Sequence, residues 1–179
     1  MRVFISIPLS KEAIEEIKRI QNKISERKLF EGKMTESENL HLTLKFLGEV
    51  DEEQLNRIKE KLREIRADKF RVKLGKTGVF SEDFVRIIWI KLDGKEIFEL
   101  QKKIDECLKE HFKQEFRFMG HVTISRVKSV KDKKALLQFL KEVKIKNVEF
   151  EVKSFNLMKS ELFLEGPTYE VIEEFDMNS

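Results

Sequence analysis

Apolar and polar residues alternate at the start of the chain, with Val3, Ile5 and Ile7 on one side, and after Pro8 and Ser10 the spacing changes to Ala13, Ile14, Ile17, Ile20 and Ile24. A period of two followed by one near 3.6 predicts a strand and then an amphipathic helix. A polar connection leads to HLTLKF, where Leu42, Leu44 and Phe46 share one strand face and His41, Thr43 and Lys45 the other. Gly48 breaks that run. Asp51 with Gln54 then forms a capping box for a helix carrying Leu55, Ile58, Leu62 and Ile65. Strands follow at FRVKL and, after the turn-like GKTG, at FVRIIWI.

The same order returns from residue 84: the strand FVRIIWIKL, a capping box at Asp93 and Glu96, a helix with Ile97, Leu100, Ile104 and Leu108, then the strand HVTIS. Ser129 and Asp132 offer another box before a helix with Leu136, Phe139 and Leu140, and strands at VEFEVKSFNLMKS and YEVIEEF complete the pattern. His41 and His121 lie 80 residues apart, as do Thr43 and Thr123. A matching offset between whole strand–helix units predicts an internal pseudo-twofold duplication. The expected architecture is therefore α+β and bilobal, with two mostly antiparallel sheets lining a central cleft and helices on the outer faces. A single domain spans 1–179, with halves at 1–80 and 81–179 and terminal strands free to cross between lobes.

Composition narrows this picture only slightly. Hydrophobic residues (40%) and charged residues (39%) place the chain among folded proteins, and 36 Lys and Arg against 33 Asp and Glu permit a nucleic-acid partner without requiring one. Cys107 is the only cysteine, which excludes an internal disulfide, and its place on an apolar helix stripe predicts a buried, inert thiol. No apolar run has the length of a membrane span, so a cytoplasmic, non-membrane protein is expected.

The chemistry concentrates in the repeated His-apolar-Thr-apolar pattern. A lone strand histidine is as readily a structural ring bonded to a carbonyl, but packing gives no reason to repeat a titratable ring beside a hydroxyl two residues on. An imidazole titrates near pH 6.5, so one ring can accept a proton while the other donates one, and a threonine hydroxyl can bind a non-bridging phosphate oxygen. Arg126 could add a guanidinium, although strict alternation turns it away from His121 and Thr123, so a bulge or strand end is required. Lys45 has cleft parity, with a solvated surface lysine as the plainer reading; Phe46, its neighbour, has core parity.

Other candidates are weaker. His111 falls at a helix C-terminus, where a cation meets the dipole. Phe112, Phe116 and Phe118 are expected to cover core, as befits a chain with 15 phenylalanines. GKTG lacks the upstream glycine of a nucleotide-binding loop and reads as a turn. Neither histidine has the neighbouring ligands of a zinc site, and no serine has a nucleophile elbow.

The motifs HLTLKF and HVTISR, with MRVFISIPL, LGKTGVF and FNLMKSELFLEGPTYEVIEEF, resemble the RNA 2′,3′-cyclic phosphodiesterases of the 2H phosphoesterase superfamily, also known as 2′-5′ RNA ligases. The resemblance implies His41 and His121 as the catalytic pair, with His41 the acid toward O3′ and His121 the base toward water. Thr43, Thr123 and Arg126 would bind substrate in a basic cleft. It further implies hydrolysis of RNA 2′,3′-cyclic phosphate ends to 2′-phosphate without metal or cofactor, reversible 2′-5′ ligation and tRNA halves among the partners, while the internal twofold, which completes the site within one chain, favours a monomer. The residues themselves leave two alternatives open: a non-catalytic RNA-binding module, and a cyclic phosphodiesterase acting on a small nucleotide.

Overall fold

The structure is a computed structural model that describes residues 1–178. Along the chain run β1 (Arg2–Pro8), α1 (Lys11–Arg27), β2 (Phe30–Met34), a 3-10 turn at Ser37–Asn39, β3 (His41–Glu49), α2 (Glu52–Arg63), β4 (Phe70–Val79) and β5 (Ile87–Asp93). They are followed by α3 (Lys95–Cys107), β6 (His121–Val130), α4 (Lys133–Glu142), β7 (Glu149–Val152), β8 (Ser154–Phe163) and β9 (Gly166–Asp176).

The paired strands form one antiparallel sheet in the order β7-β4-β5-β6-β3-β1-β8-β9, with β2 also on β6. This corrects the expectation of two separate sheets. Leu42 opposite Val122 is the residue pair by which β3 meets β6. The rest of that β6 edge belongs to β2, from Phe30 opposite Val130 to Met34 opposite Ser125. Strand β2 occupies the polar connection before HLTLKF and has no alternation to betray it, because most of its residues are exposed.

One face of the sheet is covered by helices. Ala13, Ile17, Ile20 and Ile24 of α1 and Ile97, Leu100 and Ile104 of α3 are buried in one cluster with Ile5, Ile7, Leu42, Ile90 and Val122. Each such Ile or Leu contributes about 1.5–3 kcal/mol through removal of its surface from water. The Asp51–Gln54 capping box forms as its spacing predicts. The box expected at Asp93 does not, since the N-cap of α3 is Gly94, which offers no side-chain cap. Asp132 caps α4 by itself, accepting from the Ala135 N–H at 3.0 Å, while Ser129 belongs to β6.

GKTG is not a turn. Strand β4 continues through it with a register shift between Leu74 and Thr77, and Thr77 is buried, its hydroxyl donating to the Leu140 carbonyl at 2.8 Å. Gly78 is needed there because a Cβ would lie 2.6 Å from the Trp89 indole across the ladder. The true connection is 80–86, so Phe84 precedes β5, exposed beneath the Arg86 guanidinium.

Strands β3 and β6 share a further irregularity. Ser6 pairs with Thr43 and Ile5 with Lys45, so Leu44 is an extra residue; Trp89 pairs with Thr123 and Ile88 with Ser125, so Ile124 is extra. A bulge reverses the facing of everything beyond it. Lys45 and Ser125 therefore turn into the buried side, while Phe46 and Arg126 are exposed.

Candidate active site

His41 and His121 are the first residues of β3 and β6, and both are half-buried at the mouth of a cleft of about 980 Å³. The Leu42–Val122 pairing places His41 opposite Thr123 and Thr43 opposite His121. In that register the two imidazoles are diagonal neighbours across the two strands.

Each ring is oriented in the same way. Nδ1 of His41 donates to the Asn39 carbonyl at 2.7 Å, and Nδ1 of His121 to the Met119 carbonyl at 2.8 Å. A carbonyl only accepts, so the proton of the neutral ring is on Nδ1 and Nε2 is left with its lone pair. The acceptor is in both cases the carbonyl two residues before the histidine, fixed by the turn that enters the strand.

The surroundings differ. His41 Nε2 lies 2.8 Å from Thr43 Oγ1, and its ring packs against Phe4 at 5.0 Å and edge-on against Tyr169 at 5.2 Å. Burial holds its pKa below the ordinary imidazole value, opposed by the Asn39 hydrogen bond and reinforced by the charge of His121. His121 instead meets Phe80 edge-on at 4.9 Å. Tyr169 has its phenol pKa raised by burial, partly offset by the charge of Arg126.

The cleft brings together all five residues singled out by the sequence: His41, Thr43, His121, Thr123 and Arg126. The bulge at Ile124 supplies the reversal that Arg126 required. The matching bulge at Leu44 overturns two expectations on the other strand. Phe46 is 76% exposed on the cleft lining instead of in the core, and Lys45 is buried in an ion pair with Asp105 instead of solvated. Phe116 is also not core, being 86% exposed, whereas Phe112 and Phe118 are partly buried against it.

Sequence pattern alone missed Asn39, Phe80 and Tyr169. Asn39 is buried, and its amide donates to the Pro167 carbonyl at 3.0 Å, tying the start of β9 to the turn that holds His41. Both aromatic residues stand in segments, LGKTGVF and EGPTYEVIEEF, that periodicity reads only as strand ends. Cys107 is remote from this chemistry: its thiol donates to the Ile104 carbonyl, and burial pushes its pKa up to about 11. Among the described residues, no three His, Cys, Asp or Glu side chains converge as metal ligands would, and no helix is long and apolar enough to cross a membrane.

Comparison with known proteins places the chain in a family. An RNA 2′,3′-cyclic phosphodiesterase of Methanocaldococcus jannaschii is 38% identical over 178 residues, covering 98% of this chain and all of the relative. One of Methanothermobacter thermautotrophicus is 32% identical over 183 residues, covering 98% of each chain. The crystal structure of TT0787 of Thermus thermophilus superposes with a TM-score of 0.81 at 27% identity, covering 98% of this chain and 97% of that one. The family model for LigT-like phosphoesterases matches twice in succession, over residues 7–89 and 90–169, one histidine motif in each match, and the chain belongs to that family.

Proposed function

We propose that this protein hydrolyses RNA 2′,3′-cyclic phosphate ends to 2′-phosphate by two-histidine acid–base catalysis, without a metal. The observation that carries this reading is the pair of imidazoles whose Nδ1 atoms are committed to backbone carbonyls while both rings border one cleft. Such rings have one nitrogen each left for proton transfer.

In the proposed step, a water oxygen attacks phosphorus in line and its proton passes to Nε2 of His121. The P–O3′ bond breaks, and O3′ takes a proton from Nε2 of the His41 imidazolium, leaving a 3′-hydroxyl and a 2′-phosphate. Burial makes His41 a readier proton donor once charged, and the bound phosphate anion favours that charge. Thr43 exchanges its hydrogen bond with His41 for one to a phosphate oxygen. Thr123 and Arg126 complete the set that stabilises negative charge on the equatorial oxygens. With a 5′-hydroxyl in place of water, the same path forms a 2′-5′ linkage and its reversal cleaves one, and tRNA halves are fitting partners.

Both histidines come from one chain, so a monomer suffices. We read 1–179 as one bilobal domain that arose by duplication. The sheet order supports this, since β6-β5-β4-β7 on one side of the central pair mirrors β3-β1-β8-β9 on the other. In this arrangement β4 of the first half lies beside β5, and β8 of the second beside β1.

The test is end-group analysis. Purified protein in excess chelator should convert an RNA oligomer ending in a 2′,3′-cyclic phosphate to a 2′-phosphate end. A 3′-phosphate product, or activity that returns only with added zinc, would reject the scheme. Faster turnover of a cyclic mononucleotide than of the oligomer would shift the substrate to small nucleotides.

A further inference from the structure

Lys45 is buried, at 7% exposure, and its partners are specific. Its ammonium group donates to Asp105 Oδ1 of α3 and to the Lys113 carbonyl, the latter at 2.6 Å. The other carboxylate oxygen, Oδ2 of Asp105, accepts the Glu115 N–H at 2.5 Å. Both anchor points lie in residues 108–120, which cross from α3 to β6 in turns and bends without a strand or helix of their own. Backbone groups of such a segment have no ladder to satisfy them and depend on side chains.

That segment ends on the residues that hold His121. Leu92 N–H fixes the Gly120 carbonyl at 2.9 Å, and the preceding carbonyl, of Met119, accepts from His121 Nδ1. The Lys45–Asp105 pair is thus the upstream tether of the loop whose downstream end sets a catalytic ring. Stability alone gives little reason for it. Burying two charges costs several kcal/mol or so per ion, and an apolar pair of similar volume commonly serves a core as well.

The mirrored position shows the same crossing. Ser125, the residue after the β6 bulge, donates to the Lys33 carbonyl of β2 at 3.1 Å. The chain from there runs through Thr35, whose N–H donates to the Ile124 carbonyl, to Asn39, which holds His41. Each bulge therefore directs a polar side chain of one strand onto the segment that orients the histidine of the other.

We propose that Lys45 is a positioning residue for His121, acting with Asp105 to pin residues 113–119 so that the Met119 carbonyl holds the imidazole with its proton on Nδ1. Given the acid–base reading above, the pair couples the strand of one catalytic histidine to the ring of the other.

The test uses the double variant Lys45→Met/Asp105→Asn, which leaves no lone buried charge and keeps an oxygen for the Glu115 N–H, together with Lys45→Arg. Side-chain nitrogen resonances of the histidines report tautomer residue by residue, independently of activity. The double variant should retain a cooperative melt while His121 loses its pure Nδ1–H signature, His41 keeps its own, and kcat falls about 10–100-fold with little change in KM, the scale of an ångström misplacement. Lys45→Arg should restore most of both readouts. A folded double variant with an unaltered His121 tautomer and unaltered kcat would overturn the proposal. So would equal disturbance of both rings, which marks a general structural role. If the double variant does not fold, Lys45→Arg/Asp105→Glu, which keeps the charges and alters their reach, takes its place under the same criteria. An altered His121 tautomer in a protein with no cyclic phosphodiesterase activity would leave the tether standing and reject the function.

Discussion

Strands β3 and β6 run through the same burial sequence over their first six residues, half-buried His, buried, half-buried Thr, two buried, then exposed. What they present differs. On β3 the histidine is shielded by Phe4 and Tyr169, bonded to its own threonine, and followed across the bulge by Phe46. On β6 it meets Phe80 edge-on and is followed across the bulge by Arg126. Backbone geometry is repeated, and the side chains flanking it are not. Two strands that begin alike can in this way hold two identical rings in unlike surroundings, which is the condition for one to donate a proton while the other accepts it.

The comparison is broken most severely by removing either ring. His41→Ala and His121→Ala should each lower kcat by about 10²-fold or more, the range for loss of a general acid or base, with folding intact by circular dichroism. Retention of full turnover in one variant would mean that the repeated motif is not a pair.

Next in size is the exchange of the residues after the bulges. Arg126→Ala should cost about 10–100-fold in kcat/KM, the worth of a charge-assisted hydrogen bond, while Phe46→Ala leaves the chemical step of a minimal cyclic phosphate near wild type. Equal losses would show that the polarity of the cleft is not set there.

The threonines should be milder. Thr43→Ala and Thr123→Ala each remove a neutral hydrogen bond, expected to cost about 3–10-fold. Thr43→Ala should also alter the pH dependence of the free enzyme through His41, and Thr123→Ala should not, as a kcat/KM profile would reveal.

The smallest effect is on stability. The folded-state pKa of His41 lies below its unfolded value, so the unfolded chain binds the proton first as pH falls. The stability that follows from neutral His41 is full above about pH 6.5 and is lost as pH drops through the folded pKa. Denaturant melts between pH 8 and 5 should show this decline, His41→Asn should flatten it, and inorganic phosphate should diminish it by favouring the charged ring. A wild-type profile indistinguishable from His41→Asn would remove the claimed difference between the rings.

Much of this is legible in the chain because it rests on periodicity. The four helices, the strands bearing the histidines and His41, Thr43, His121 and Thr123 follow from spacing and from the 80-residue offset, whereas Arg126 rests on the family resemblance. The sequence misleads where one residue breaks the period. Parity demands a bulge before Arg126, and the offset that equates Arg126 with Phe46 implies the same bulge in β3; without that second bulge, Lys45 and Phe46 exchange faces. Gly78 looks like a turn residue when its small size serves the Trp89 indole on the next strand. Contacts of that kind belong to tertiary packing and leave no periodic trace, as does the pairing of Asn39 with Pro167, 128 residues away.

The placement of β8 against β1 governs how the molecule can be made. Arg2 pairs with Ser160 and Ser6 with Asn156, so one edge of β1 stays uncovered until β8 has been made. Pairings of such sequence separation slow folding, and an uncovered strand edge invites association with other chains. The cleft is consequently complete only after β8 is made, and a truncation that removes β8 would leave β1, the strand beside the His41 strand, without its outer neighbour.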